Sequence, residues 1–331
     1  MTRADLPETM NVIDMDGSGG PEVLIPATRE LPEPKADEVL IRVVAAGING
    51  PDLVQRRGHY PPPKGASDLL GLEVSGEVVA VGSEQALWSP GDTVCALTNG
   101  GGYAEYVAVR ADHCLPVPSG LSMIDAASLP ETFFTVWSNV FLDQVIPEGG
   151  NFLVHGGSGG IGSTAIQLGA AMGLNVLTTV ESEEAAAFAT SLGATRTILF
   201  KDEDFVPIVR EAGGADVILD IIGGDYVARN VKASRADGRI VQIAFNGGSK
   251  VEIDLMPIML KRLQYTGSTL RSRSDAFKAR VAEELRTEVW PLFSSGALRS
   301  VIHEVLPMAD AAEGHRMMEG GKHHGKILLT P

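Results

Sequence analysis

Two kinds of hydrophobic pattern divide the chain. From residue 10 to residue 110 the apolar positions fall in short runs broken by Gly and Pro, which predicts strands at Asn11 to Met15, Glu22 to Ile25, Glu38 to Ala46, Leu72 to Val81, Thr93 to Leu97 and Tyr103 to Val109. Turn signals such as Gly17-Ser18-Gly19-Gly20-Pro21 and Ser89-Pro90-Gly91-Asp92 separate them, and an antiparallel barrel-like domain fits that spacing. From about Ile124 helical and strand periods alternate: a helix near 124–142, strands at 151–155, 175–180, 197–200, 216–220, 239–244 and 264–268, and a helix at 183–192. Such alternation predicts a doubly wound parallel sheet. A helix at 275–294 and a final strand pair at 301–306 and 326–330 are left over once that sheet is complete, so the chain is expected to return to its first domain. The expected fold class is therefore α/β, a β-barrel domain over 1–127 and 272–331 interrupted by a Rossmann domain over 128–271.

The turn between the first parallel strand and its helix carries the strongest motif. After the buried-type strand Asn151-Phe152-Leu153-Val154-His155 come Gly156-Gly157-Ser158-Gly159-Gly160-Ile161-Gly162, and then Ala165, Leu168 and Met172 at helical spacing. Gly156, Gly159 and Gly162 form a G-x-x-G-x-x-G pattern, which permits a tight turn, close approach of a diphosphate and packing of the helix on its strand. The anion would rest on free N–H groups at the helix start, around Gly160, Ile161 and Gly162. Gly100-Gly101-Gly102-Tyr103 has no helix after it and reads as a loop.

Composition narrows the classes. The chain has 331 residues, 44% hydrophobic, and no apolar run reaches the about 18 residues that cross a bilayer. The first twenty residues lack the basic start and apolar core of a signal peptide, and two cysteines exclude a disulfide framework, so a cytoplasmic, reducing setting and no membrane partner are expected. A net charge of −15, from 42 acidic and 27 basic residues, argues against nucleic acid as a partner.

Several motifs in order carry a family resemblance: Gly19 to Leu24, Ala46-Gly47-Ile48-Asn49-Gly50-Pro51-Asp52, Gly71-Leu72-Glu73-Val74-Ser75-Gly76, Val154 to Gly162, and Thr266 to Arg273. Together they resemble the zinc-independent, zeta-crystallin-like quinone oxidoreductases of the medium-chain dehydrogenase/reductase superfamily, over nearly the whole chain. The resemblance implies a GroES-like catalytic domain, a Rossmann domain, an active site in the cleft between them, and a homodimer joined through the last Rossmann strand. It also implies NAD(P)H as cofactor and a small-molecule quinone or enone as partner.

The zinc-dependent members of that superfamily hold their catalytic ion with a Cys and the His of a Gly-His-Glu motif. Here Asn49 stands at the Cys position and Leu72 at the His position, and Cys95 and Cys114 lack ligand spacing, so no metal is expected. Adjacent side chains on a strand would point to opposite faces, so His323-His324 do not read as a chelating pair, and a solvated loop or cleft rim is expected for them. Without a Lewis acid, reduction of an electron-poor acceptor relies on placement at the nicotinamide and on hydrogen bonds to the developing oxyanion. The resemblance places Asn49 and Tyr60 at the polar catalytic positions; Asn49 could instead be a satisfied turn amide, and the Tyr60 ring could pack on Pro61 to Pro63. Asp52 is expected to cap a helix beginning at Leu53. By resemblance Thr135, Phe245 and Leu270 border the nicotinamide and Lys326 is a basic cofactor contact at the cleft, with ordinary core as the other reading for Phe245 and Leu270.

At the end of the second parallel strand, NADPH-using relatives carry Gly, Lys and Tyr where this chain has Glu181, Ala185 and Phe200. A Glu there accepts from a free ribose hydroxyl and repels a 2′-phosphate, which favours NADH weakly over NADPH; Ser182 retains a phosphate contact, and Arg196 or Lys201 could replace the missing cation. The expected function is zinc-independent hydride transfer from NAD(P)H to a quinone. Two alternatives remain at this level, an enal/enone double-bond reductase and a dinucleotide-binding structural or RNA-associated protein.

Overall fold

A computed structural model describes residues 6–331. The chain forms two compact units: one runs up to Phe134 and resumes at Arg271, and the other is Thr135–Leu270.

In the first unit β1 (Thr9–Met15) and β2 (Leu24–Glu30) form an antiparallel ribbon. The main sheet contains β3 (Glu38–Gly47), β4 (Glu73–Val81), β5 (Thr93–Leu97), β6 (Tyr106–Arg110) and β7 (Cys114–Pro116), and its pairing is antiparallel throughout these strands. The core beneath it is aliphatic, with Val39, Ile41, Val74, Val78 and Val107 among its buried residues. The C-terminal strands β14 (Ile302–Pro307) and β15 (Lys326–Thr330) join the same sheet, β15 pairing antiparallel with the end of β3. The return of the chain to its first domain is therefore observed.

The second unit is a six-stranded parallel sheet of β8 (Asn151–His155), β9 (Asn175–Val180), β10 (Arg196–Leu199), β11 (Ala215–Asp220), β12 (Ser234–Gln242) and β13 (Gln264–Gly267). Its spatial order, β10-β9-β8-β11-β12-β13, is the doubly wound arrangement, whose ligands bind at the carboxyl ends of the strands where the order reverses. Those ends carry the glycine turn after β8, Glu181 after β9 and Phe200 after β10.

Several predicted elements differ. Pro21–Val23 is a 3₁₀ turn, so the strand expected at Glu22 starts at Leu24. The single helix near 124–142 is three pieces, Met123–Ala126, Pro130–Val136 and a π turn at Trp137–Phe141, because Pro130 has no N–H with which to continue the first piece. The helix Asp275–Glu284 likewise passes through a π turn at Leu285–Val289 before Trp290–Ser294, beside Pro291, whose missing N–H interrupts the regular ladder. Tyr103 does not begin a strand; its ring is buried and its hydroxyl meets His315 at 3.0 Å.

Candidate functional site

The first unit's sheet topology assembles a buried ionic cluster. β3 is antiparallel to both β4 and β15, so the end of β3 lies beside the starts of its two neighbours. Asn49, just after β3, thereby meets Glu73, the first residue of β4, and Lys326, the first residue of β15. The Lys326 ammonium donates to Ile48 O at 3.0 Å, Asn49 Oδ1 at 2.5 Å and Glu73 Oε1 at 2.6 Å, which uses all three of its hydrogens. An ammonium only donates, so the amide orientation of Asn49 is fixed, and Nδ2 donates to Glu73 Oε1 at 2.8 Å. The second Nδ2 hydrogen has only a 3.4 Å contact with Gly47 O. Gly47 is required here, because a Cβ on it would lie 2.0 Å from Glu73 Oε1.

Asp52 occupies a different place from the one its sequence suggests. The helix is Gly50–Arg56, its N-cap is Asn49, and Asp52 is the third helical residue. Only half of a capping box forms: Asp52 accepts from the Asn49 N–H at 2.8 Å, while the Asn49 side chain is committed to Glu73 and Lys326. Asp52 also accepts from Gly71 N–H at 3.0 Å, yet complete burial dominates and pushes its pKa up to about 6.

Glu73 reaches one element further, its Oε2 accepting from the Glu131 backbone N–H at 2.8 Å. The Glu131 carboxyl is buried and no donor bonds it among the described residues; burial and then the Glu73 charge push its pKa up to about 8. Tyr60 stands in the same electrostatic neighbourhood, its pKa raised by burial and by Glu131. The Arg271 guanidinium lies 5.5 Å from the ring centroid, and that guanidinium is itself held by Asn99 O and Gln55 Oε1. Glu73, Glu131 and Arg271 were not singled out from the sequence, although Glu73 is the acidic end of the altered Gly-His-Glu motif.

In the second unit the turn after β8 fits a diphosphate. Gly156 has φ +76°, and a Cβ on Gly162 would lie 2.1 Å from Gly156 O, so both are needed for the turn to exist. Gly159 differs, since a Cβ there would meet nothing within 4 Å. It is the N-cap of the helix Gly160–Ala171, caps nothing with a side chain, and leaves the first N–H groups of Gly160, Ile161 and Gly162 without partners among the described residues. A polar network sets the turn from behind. Asn230 donates to Asp220 at 2.8 Å and accepts from His155 Nε2 at 2.8 Å, which leaves His155 Nδ1 to accept from Thr179 Oγ1 at 3.1 Å. Thr179 O in turn accepts from the N–H groups of Gly156 and Gly157.

Beside that turn, Glu181, Ser182 and Phe200 come together because β10 is paired with β9. Glu181 Oε2 accepts from Ser158 Oγ at 3.0 Å, and Ser182 is the N-cap of the helix Glu183–Ser191, accepting from Ala185 N–H at 3.2 Å. Phe200 is 40% exposed. Ala185 is completely buried, so a lysine at this position would have to leave the core, and Arg196 is paired with Glu203 at 2.5 Å. Phe245 is half exposed and is not core, Leu270 is buried, and the Thr135 carbonyl accepts from Asn139 Nδ2 at 2.8 Å. Among the described residues no group of three His, Cys, Asp or Glu is placed to hold a metal ion. His323 and His324 lie in the loop before β15, near His303.

Comparison with known proteins agrees with this geometry. Residues 35–119 match the alcohol dehydrogenase GroES-like domain and residues 160–287 the zinc-binding dehydrogenase family. The chain is 29% identical to mouse (Mus musculus) quinone oxidoreductase, with 97% of each chain covered. It is 30% identical to a solved quinone oxidoreductase of Pseudomonas syringae pv. Tomato DC3000, covering 97% of this chain and 100% of that one at a TM-score of 0.86. The chain belongs to the quinone oxidoreductase branch of the medium-chain dehydrogenase/reductases. A mycobacterial relative solved with NADPH, 27% identical over 97% of this chain and 100% of that chain with a TM-score of 0.86, shares the fold that carries the glycine turn. The chain is thus an oxidoreductase with a dinucleotide-binding unit, and the hydride such a dinucleotide supplies is the chemistry its remaining residues must serve.

Proposed function

We propose that this oxidoreductase transfers a hydride from NAD(P)H to a quinone without zinc. The observation that carries the reading is the ammonium of Lys326, bonded to Asn49 and Glu73. It places a resident positive charge among the residues that stand where the zinc-dependent members carry their ligand motifs. In this reading Tyr60 donates to the acceptor oxygen, with Asn49 offering its weakly held second N–H, while Gly159 to Gly162 hold the diphosphate. Thr135, Phe245 and Leu270 serve the nicotinamide, and Lys326, with no hydrogen left over, serves by fixing Asn49. Oxidation of NADH and NADPH with a panel of ortho- and para-quinones, set beside short enones, tests this. Higher kcat/KM on quinones is expected; turnover confined to enones would replace the substrate class, and no turnover with either would overturn the reading.

Glu181 beside the turn, with Ala185 in place of a lysine and Arg196 paired with Glu203, supports a preference for NADH, while Lys201, 6.0 Å from the Phe200 ring centroid, is the basic candidate that counts the other way. The proposed assembly is a homodimer through β13. This strand ends the parallel sheet with its residues exposed, and Met256, Met259 and Leu260 of the neighbouring helix Met256–Lys261 are 60%, 68% and 65% exposed. Light scattering on the eluted protein tests it, a monomeric mass being the contrary result. No helix of the described residues is long and apolar enough to cross a membrane.

A further inference from the structure

Reduction of a quinone consumes one proton with each hydride, and Tyr60 alone would be left as a phenolate after giving one up. The first unit holds a second acid at the start of the helix Pro130–Val136. Its position is set by the backbone, since Glu73 Oε2 binds the Glu131 N–H. The charges that face it come from every surrounding element: Glu73 on β4, Lys326 on β15, Asp52 on the helix Gly50–Arg56, and Lys278 on the helix Asp275–Glu284, with Tyr60 and Arg271 nearby. Neither lysine forms an ion pair with it among the described residues: all three Lys326 hydrogens go to Glu73, Asn49 and Ile48, and Lys278 gives two of its three to Asn99 Oδ1 at 2.7 Å and Arg271 O at 2.9 Å. Glu131 is nine-tenths buried as a residue and its carboxyl has neither a hydrogen-bond partner nor an ion pair among the described residues, a setting that favours the protonated form.

We propose that Glu131, in the same unit as Tyr60 and held to Glu73 by its own N–H, is the acid that hands its proton to the acceptor oxygen as the acceptor takes hydride. This rests on the quinone reading above. The balance is simple: the Glu131 O–H bond breaks, an O–H bond of the hydroquinone forms, NAD(P)H is oxidised to NAD(P)⁺, and solvent reprotonates the carboxylate. Tyr60 keeps its proton and holds the oxygen by a hydrogen bond. Because burial and the Glu73 charge place the Glu131 pKa at about 8, the acid form prevails at neutral pH and is lost in mild alkali.

The test uses the full chain and three variants, Glu131→Gln, Glu131→Asp and Tyr60→Phe. For the native protein kcat should fall as pH rises through about 8. In Glu131→Gln, kcat should drop about 100-fold and the alkaline limb should disappear, with KM for the dinucleotide unchanged. Glu131→Asp should regain part of the rate, and Tyr60→Phe should keep the limb. A Glu131→Gln protein with native kcat and an intact limb overturns the proposal alone, whereas a native protein that reduces no quinone overturns the functional reading first. An infrared pH titration needs no turnover: a protonated-carboxyl band lost between neutral pH and mild alkali, and missing in Glu131→Gln, is the expected result. Absence of that band in the native protein contradicts the proposal.

Discussion

The two candidate sites are built from different materials. The nucleotide turn of the second unit is mostly backbone: free N–H groups at a helix start, glycines that let the chain pass, and one open position at Gly159. The cluster of the first unit is built on buried side chains, Asn49, Asp52, Glu73, Glu131 and Lys326, which different elements bring together and backbone groups help to hold. A backbone site has no charge to bury and tolerates change wherever a side chain would meet empty space. A buried ionic site depends on every partner, because removing one leaves another charge unpaired in a medium that solvates it poorly.

Substitutions should therefore separate the two. The largest effect is expected at Lys326→Met, which strands Glu73 and should cost ~3–5 kcal/mol in denaturant unfolding; a loss below ~1 kcal/mol would mean that Glu73 is not held as an anion by this lysine. Gly162→Ala, which puts a Cβ against Gly156 O, should cost ~3 kcal/mol of stability along with nucleotide affinity. Gly159→Leu should leave the melting temperature unchanged and still weaken nucleotide binding about 100-fold, since the leucine occupies the place of the diphosphate. If titration finds undiminished affinity in Gly159→Leu, the nucleotide does not lie on this turn.

A smaller effect concerns pH. The folded chain keeps protons on Asp52 to about pH 6 and on Glu131 to about pH 8, which the unfolded chain releases near the ordinary carboxyl range. The folded state thus binds more protons through that window, so the contribution of these groups to stability falls as pH rises through it and is lowest above about pH 8. Thermal melts of native protein and Glu131→Gln should converge toward acid and diverge toward alkali, with the variant gaining. Parallel curves would show that Glu131 does not carry a proton at neutral pH. The smallest change is expected at Glu181→Ser, which should move the NADH to NADPH ratio of kcat/KM about tenfold toward NADPH by removing a repelling charge. Ala185→Lys is the poorer experiment, because Ala185 is buried.

The same contrast explains what could be read from the sequence. The doubly wound sheet and its turn are local: strand, Gly156 to Gly162 and helix are contiguous, and the burial pattern of β8 is continuous. The ionic cluster depends on strands brought together from residues 47, 73 and 326, and no local period records that β15 lies beside β3. Asn49 and Lys326 are reachable only through family resemblance, and no local pattern marks Glu131. Helix boundaries failed where proline removed a donor, at Pro130 and Pro291. The start of the helix at Gly50 was missed because Asn49 spends its side chain on Glu73 and Lys326 instead of on the cap.

The central claim is hydride transfer to a quinone by a protein whose own lysine occupies the ionic cluster. It is tested most directly by stripping the protein with a strong chelator, verifying by elemental analysis that no zinc remains, and following NADH or NADPH oxidation with a quinone acceptor. Undiminished turnover by the metal-free protein is the predicted result. Loss of turnover that returns when zinc is added would contradict the account.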